Sequence, residues 1–192
     1  MKLKSIAVFC ASSEGNDRVY VTAAKQVGAF FAQNNIRLIY GGGNVGLMGA
    51  VADAVMENQG TVIGVIPYFL SDKEVGHTGI TELINVDSMH QRKQKMSDLA
   101  EGFIALPGGF GTLEELFEII TWAQLGLHNK PVGILNTNGF YTTLIAFIDQ
   151  MVESGLLKKE NRAMLLVADT LDELLSMMES YIPVYVPKWI EK

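Results

Sequence analysis

Residues 5–43 read SIAVFC, ASSEGN, DRVYVTAAKQVGAFFAQN, NIRLIYGGG. Ser5–Cys10 is a short, nearly continuous apolar run, the pattern of a strand buried on both faces. From Asp17 to Asn34 the apolar residues Val19, Ala23, Val27 and Phe30 or Phe31 return at helical spacing, and Asn34-Asn35 ends the helix. Ile36–Tyr40 is a second buried strand, closed by Gly41-Gly42-Gly43. Strand, helix and strand of these lengths predict a parallel unit with a crossover helix.

The alternation continues to the other end. Helices are expected at 46–58, 88–99, 112–127, 140–153 and 170–181, and strands at 61–66, 82–86, 102–106, 131–135 and 165–167. Residues 68–80 read as irregular, with Tyr68-Phe69 as a lid or as packing. The expected fold class is α/β: a Rossmann-like doubly wound parallel sheet, one domain over residues 1–192. Ligands of such sheets bind at the carboxyl ends of the strands.

Composition bounds the function. The chain has 192 residues, 48% hydrophobic and 19% charged, which suits a folded domain and excludes a disordered one. A net charge of −6 argues against sequence-independent binding of nucleic acid. The single Cys10 excludes an internal disulfide framework, and as the end of an apolar strand it reads as an inert core residue. His77, His90 and His128 show no ligand spacing, so no metal is expected. No apolar run is long enough for a membrane span or a signal peptide, and the expected location is the cytoplasm.

Three clusters lie at the ligand edge. The first is Gly41-Gly42-Gly43-Asn44-Val45-Gly46-Leu47-Met48-Gly49. Its Gly41, Gly43 and Gly46 satisfy G-x-G-x-x-G, but the next strand ends Val65-Ile66-Pro67 without the acidic residue that holds a dinucleotide ribose. Contact with an anion and a tightly packed turn both remain open. The second is Pro107-Gly108-Gly109-Phe110-Gly111-Thr112-Leu113-Glu114-Glu115. Thr112 and Glu115 form a T-x-x-E pattern, which predicts a capping box with Thr112 as N-cap and Glu115 at N3. Three glycines in four positions before the cap point instead to a backbone that wraps a phosphate. The third is Met89-His90-Gln91-Arg92-Lys93, where the two cations are either a solvated helix face or anion receivers, Arg92 the better suited through its planar fork. The Ala11-Ser12-Ser13 loop faces the same edge, to bind ligand or to cap the following helix.

Together these clusters resemble the LONELY GUY (LOG) family over nearly the whole chain, from Ser12-Ser13 to Thr121-Trp122-Ala123-Gln124-Leu125-Gly126. The resemblance implies hydrolysis of the N-glycosidic bond of cytokinin riboside 5′-monophosphates, and of AMP, to free base and ribose 5-phosphate. Similar sequences have often been labelled lysine decarboxylases. The family's catalytic pair falls on Arg92 and Glu115. Its substrate contacts fall on Ser12, Gly43, Gly46, Glu74, Met89, Lys93, Gly108, Gly109, Gly111, Thr112 and Thr121. The position of Ala11 is commonly Gly in the family. A homodimer is implied, and apolar residues spread around helices 112–127 and 140–153 agree with it. The expected partner is a nucleoside 5′-monophosphate, with no cofactor, nucleic acid or membrane. A non-catalytic nucleotide or cofactor carrier on the same fold is the alternative.

Overall fold

The computed structural model describes residues 2–71 and 76–184. Seven strands form one sheet, and every adjacent pair is parallel. They are β1 (Ser5–Phe9), β2 (Arg37–Tyr40), β3 (Val62–Pro67), β4 (Glu82–Val86), β5 (Gly102–Ala105), β6 (Val132–Leu135) and β7 (Leu165–Ala168), in the order β4-β3-β2-β1-β5-β6-β7. The chain winds outward from β1 to β4, then returns to place β5 on the free side of β1. The doubly wound parallel sheet expected from the sequence is therefore present, with its switch point between β1 and β5.

The helices are α1 (Arg18–Gln33), α2 (Gly46–Glu57), α3 (Tyr68–Ser71), α4 (Met89–Leu99), α5 (Phe110–Gln124), α6 (Thr142–Glu153), α7 (Lys159–Arg162) and α8 (Leu171–Glu179). Alternate residues of each strand go to opposite faces. Ile6, Val8 and Cys10 pack with Val27 and Phe31 of α1, Val51 and Val55 of α2, and Leu174 of α8. Ala7 and Phe9 pack with Met96 of α4, Leu116 and Ile119 of α5, and Ile148 of α6. Each face thus has its own apolar core, which is why the inner strands carry almost no polar residue.

Local chemistry sets the helix ends. Asp17 accepts a hydrogen bond from the Val19 amide at 2.9 Å and starts α1, and Ser88 does the same for Gln91 at 3.2 Å in α4. Helices α1 and α2 cross closely because Gly28 has no side chain: a Cβ there would lie 2.4 Å from the Val51 carbonyl oxygen.

Three expectations need correction. Helix α5 begins at Phe110, not Thr112, and its N-cap is Gly109, which has no side chain to cap it. Thr112 is therefore at N3 and Glu115 three residues further in, so there is no capping box. The region 68–80 is not wholly irregular, since Tyr68–Ser71 forms a helical turn and Gly76 bridges to Gly43. The 3-10 turn Thr137–Gly139 and the short helix α7 lie where the sequence pattern predicted a loop.

Candidate active site

A cleft of about 290 Å³ opens outside the carboxyl ends of β1 and β5, at the switch point. It is close to the lower size limit of small-molecule sites, roughly 300 Å³. Its walls come from four segments: Cys10 to Ser13 after β1, Met48 on α2, Arg92 on α4, and Gly109 to Thr112 with Glu115 on α5. The backbone ties these segments together. The Ala11 amide donates to the Pro107 carbonyl at 3.2 Å, and the Ala11 carbonyl accepts from the amides of Leu47 and Met48 at 3.1 and 3.3 Å.

Arg92 is only 7% exposed, yet it is held by backbone rather than by a carboxylate. Its Nε donates to the Val65 carbonyl at 3.1 Å and its Nη2 to the Gly41 carbonyl at 2.9 Å. Val65 lies within β3 and Gly41 directly follows β2, so the sheet itself fixes the guanidinium. Space for it comes from Gly41, where a Cβ would lie 1.9 Å from Nη2. The Met89 sulfur accepts from Nη1 at 3.8 Å, which places Met89 behind the arginine rather than on the cleft wall.

Glu115 enters the cleft from the second turn of α5. Burial pushes its carboxyl from the ordinary 4.5 up to about 7, against the pull of the Arg92 charge. Glu114 and Glu118 push it further up, and Lys93 pulls it down. A carboxyl with a pKa near neutrality is suited to take and return a proton. The Cys10 thiol nearby is pushed well above its ordinary range, first by burial and then by the Glu115 charge, and is not a nucleophile.

The two glycine clusters differ in structure. In the first, Gly46 has φ +61°, and a Cβ would lie 2.3 Å from the backbone of Ser12 and Ser13. Gly43 is bridged to Gly76, and the first amides of α2 are used by Ala11. That cluster is packed turn, and neither Gly43 nor Gly46 lines the cleft. In the second, Gly108 makes room for Thr112, whose Oγ1 would lie 2.1 Å from a Cβ. Gly109 and Gly111 face open space on the cleft wall, with no atom within 4 Å of a Cβ. The first amides of α5 have no acceptor within their own helix, and Gly109 supplies none. Donors and helix dipole together suit this turn to an anion.

Of the residues expected in the site, the cleft gathers Ser12, Arg92, Gly109, Gly111, Thr112 and Glu115. Gly108 stands behind it. Lys93 points away, toward Glu114 and Glu118. Thr121 lies on the exposed face of α5, its hydroxyl donating to the Phe117 carbonyl at 2.6 Å. Glu74 falls outside the described residues. Of the other lining residues, sequence reasoning did not single out Met48 as a site residue and read Cys10 as core alone. Met48 lies within the first glycine cluster and Cys10 directly follows β1, and those positions were the available signal.

Among the described residues no group of three His, Cys, Asp or Glu is placed to hold a metal ion, and no helix is long and apolar enough to cross a membrane.

A family model described as "Possible lysine decarboxylase" matches residues 48–178. The residues do not fit the pyridoxal phosphate that an amino-acid decarboxylase of that kind would carry. Among the described residues no lysine lines the cleft, and the hydrogen bonds of Lys93 to Glu114 and Glu118 hold its ammonium protonated against the effect of burial. A Schiff-base lysine needs the neutral amine. The chain is 47% identical over 182 residues to cytokinin riboside 5′-monophosphate phosphoribohydrolase LOG2 of Arabidopsis thaliana, covering 95% of this chain and 85% of that one. It is 46% identical over 184 residues to the enzyme LOG of Oryza sativa subsp. japonica, covering 96% and 76%. Among solved structures, the molybdenum cofactor binding protein of Rippkaea orientalis superposes with a TM-score of 0.68 at 20% identity, over 94% of this chain and 98% of that one. The molybdenum cofactor carrier protein of Chlamydomonas reinhardtii does so with 0.66 at 19%, over 91% and 95%. These two likenesses establish the shared Rossmann-like fold and nothing more. Identity near one half along nearly the whole chain decides the family: the chain belongs to the LOG family of cytokinin riboside 5′-monophosphate phosphoribohydrolases, which the lysine decarboxylase model also describes.

Proposed function

We propose that this chain hydrolyses the N-glycosidic bond of cytokinin riboside 5′-monophosphates, and of AMP, releasing the free base and ribose 5-phosphate. The observation that carries the reading is the lining of one cleft. It sets the Glu115 carboxyl and the backbone-held Arg92 beside an uncapped helix N-terminus with two open glycines. The 5′-phosphate sits on the α5 amides, where the dipole favours negative charge. As the bond from C1′ to the base nitrogen breaks, its electron pair leaves with the base and positive charge builds on the ribose. The Glu115 carboxylate answers that charge. It also takes a proton from the water that attacks C1′ and returns it to the departing base, so the sum is hydrolysis and needs no redox partner. Arg92 supplies a fixed positive charge for the phosphate or for Glu115. Ser12 and Thr112 supply hydroxyls.

The same reading makes the enzyme a cytoplasmic homodimer with a nucleotide as its partner, not nucleic acid or membrane. Support for the dimer comes from apolar side chains left in solvent on and beside α5 and α6: Phe117, Leu125, Leu127 and Phe147. Light scattering at micromolar concentration should give twice the mass of one chain, and a monomer mass would contradict it.

The test of the activity is base release by the pure protein from isopentenyladenosine 5′-monophosphate and AMP, followed by chromatography. Free base and ribose 5-phosphate in equal amounts are expected. Binding without turnover would make the protein a carrier.

A further inference from the structure

The Gly41 carbonyl that holds Arg92 belongs to a run of three glycines, and glycines leave their peptide planes free to turn. Contacts from outside the run therefore set the direction of that carbonyl. The next carbonyl along, that of Gly42, accepts from the His77 amide at 2.9 Å, and Gly43 pairs with Gly76 in an antiparallel bridge. Gly42 itself has φ +81° and lies against β3, where a Cβ on Gly64 would come within 2.8 Å of its Cα. The segment 76–79 is in turn tied down by one side chain. The side chain of His77 is 12% exposed. Its Nδ1 accepts from the Gly79 amide at 3.1 Å. An amide nitrogen only donates, so the neutral ring carries its proton on Nε2. Nε2 donates to Asp53 Oδ1 on α2 at 2.9 Å.

We infer that His77 is a positioning residue for Arg92: bonded to Asp53, it holds the segment 76–79 on the turn 41–43 and so keeps the Gly41 carbonyl aimed at the guanidinium. His77 is not among the residues that line the cleft, and the inference rests on the hydrolase reading, in which Arg92 serves the reaction. The carbonyls of Gly41 and Gly42 belong to successive peptides joined at the Gly42 Cα. One of them receives Arg92 and the other receives the His77 amide. Without the bond to Asp53 the His77 amide loosens its hold on the second carbonyl, and the first turns with it. Asp53 is 24 residues from His77 in sequence, so the bond ties α2 to the segment that precedes β4.

The experiment compares His77→Leu, His77→Gln, Asp53→Ala and the double variant His77→Leu/Asp53→Ala. It also sets His77→Leu on the Gly41→Ala background, where the guanidinium is already displaced from its carbonyl. It reads kcat/KM on isopentenyladenosine 5′-monophosphate, and the exchange of the Arg92 Nε–H with water by NMR of 15N-labelled protein. His77→Leu and Asp53→Ala should each lower kcat/KM by about fivefold or more and speed the Arg92 exchange. The Nε–H of Arg162, which donates to Asp149 away from the turn, should exchange as in wild type. The double variant should be no worse than the poorer single one by more than about twofold, because both changes break one bond. Glutamine can place its amide nitrogen near Nε2, so His77→Gln should keep most of the activity that His77→Leu loses. Asp53→Ala, a change at a half-exposed helix position, serves where His77→Leu fails to fold. On the Gly41→Ala background His77→Leu should cost less than about twofold. A loss of fivefold there too would show that His77 acts by another route than Arg92 and would overturn the proposal. So would losses that multiply in the double variant, or an Arg92 exchange that does not move. If the wild type releases no base, the hydrolase reading fails by itself, and the Arg92 exchange still decides on His77.

Discussion

Two glycine-rich turns link a strand to a helix in this molecule, and they do opposite work. The turn from Gly41 to Gly49 is closed: added Cβ atoms at Gly41, Gly46 and Gly49 would lie 1.9 to 2.3 Å from other atoms. The turn from Pro107 to Thr112 is closed at Gly108 and open at Gly109 and Gly111. Glycine in the first turn admits the protein itself, meaning the Arg92 fork and the Ser12-Ser13 backbone. Glycine in the second leaves room for something that is not protein. Both are rich in glycine, and it is the neighbours that set them apart.

Breaking the closed turn should have the largest effects. In Gly46→Ala the new methyl meets backbone in a left-handed conformation, and a loss of about 3 kcal/mol or more is expected in a denaturant melt. Gly41→Ala meets only the end of the Arg92 side chain, so stability should fall less. The guanidinium must leave its two carbonyls, and base release should drop by about a hundredfold or more. An active Gly41→Ala protein would show that Arg92 need not be held there.

Removing the substrate phosphate tests the open turn from the other side. The riboside should be cleaved about a hundredfold less well in kcat/KM than its 5′-monophosphate, because a multidentate charged anchor is lost. Equal turnover of the two would remove the phosphate from the α5 turn. A smaller change is expected for Gly111→Ala. Its methyl points into open space, so the melting temperature should hold, while kcat/KM falls by about tenfold as the methyl takes up cleft volume. A lower melting temperature with unchanged kinetics would put this turn in the same class as the first.

The pH dependence sharpens the account of Glu115. Its pKa is about 7 in the folded chain against 4.5 ordinarily, so between these values the folded state binds more protons than the unfolded one. Its contribution to stability is therefore largest below pH 4.5 and is lost as pH rises through 7. Melts of wild type and Glu115→Gln should show the variant gaining on the wild type from pH 5 to pH 8, by roughly 1–3 kcal/mol. Base release, which needs the carboxylate, should show an acid limb near pH 7.

The sheet was legible because each inner strand is buried on two faces and reads as an apolar run, as Ser5–Phe9 and Gly102–Ala105 do. The helix starts at Asp17, Ser88 and Thr170 were legible because a side chain caps each of them. The start of α5 was not. Thr112-Leu113-Glu114-Glu115 matches a capping box, but Gly109 in an extended conformation lets the chain enter the helix at Phe110, which stands 94% exposed. Arg92 and Glu115 could be singled out from their motifs, while their settings could not. The carbonyls that hold Arg92 lie 27 and 51 residues away, and the partners of Lys93 lie 21 and 25 away. Backbone acceptors carry no mark in a sequence, and surface-like lysines and glutamates pair only once two helices are side by side.

The most direct measurement of the central claim is base release by Glu115→Gln, made beside a melt and a binding titration with AMP. Glu115 is not part of a cap, so the change leaves the helix start intact. Hydrolysis of isopentenyladenosine 5′-monophosphate should fall by about a thousandfold or more, with the fold and nucleotide binding retained. Release at close to the wild-type rate would show that the carboxyl in the cleft is not the catalyst.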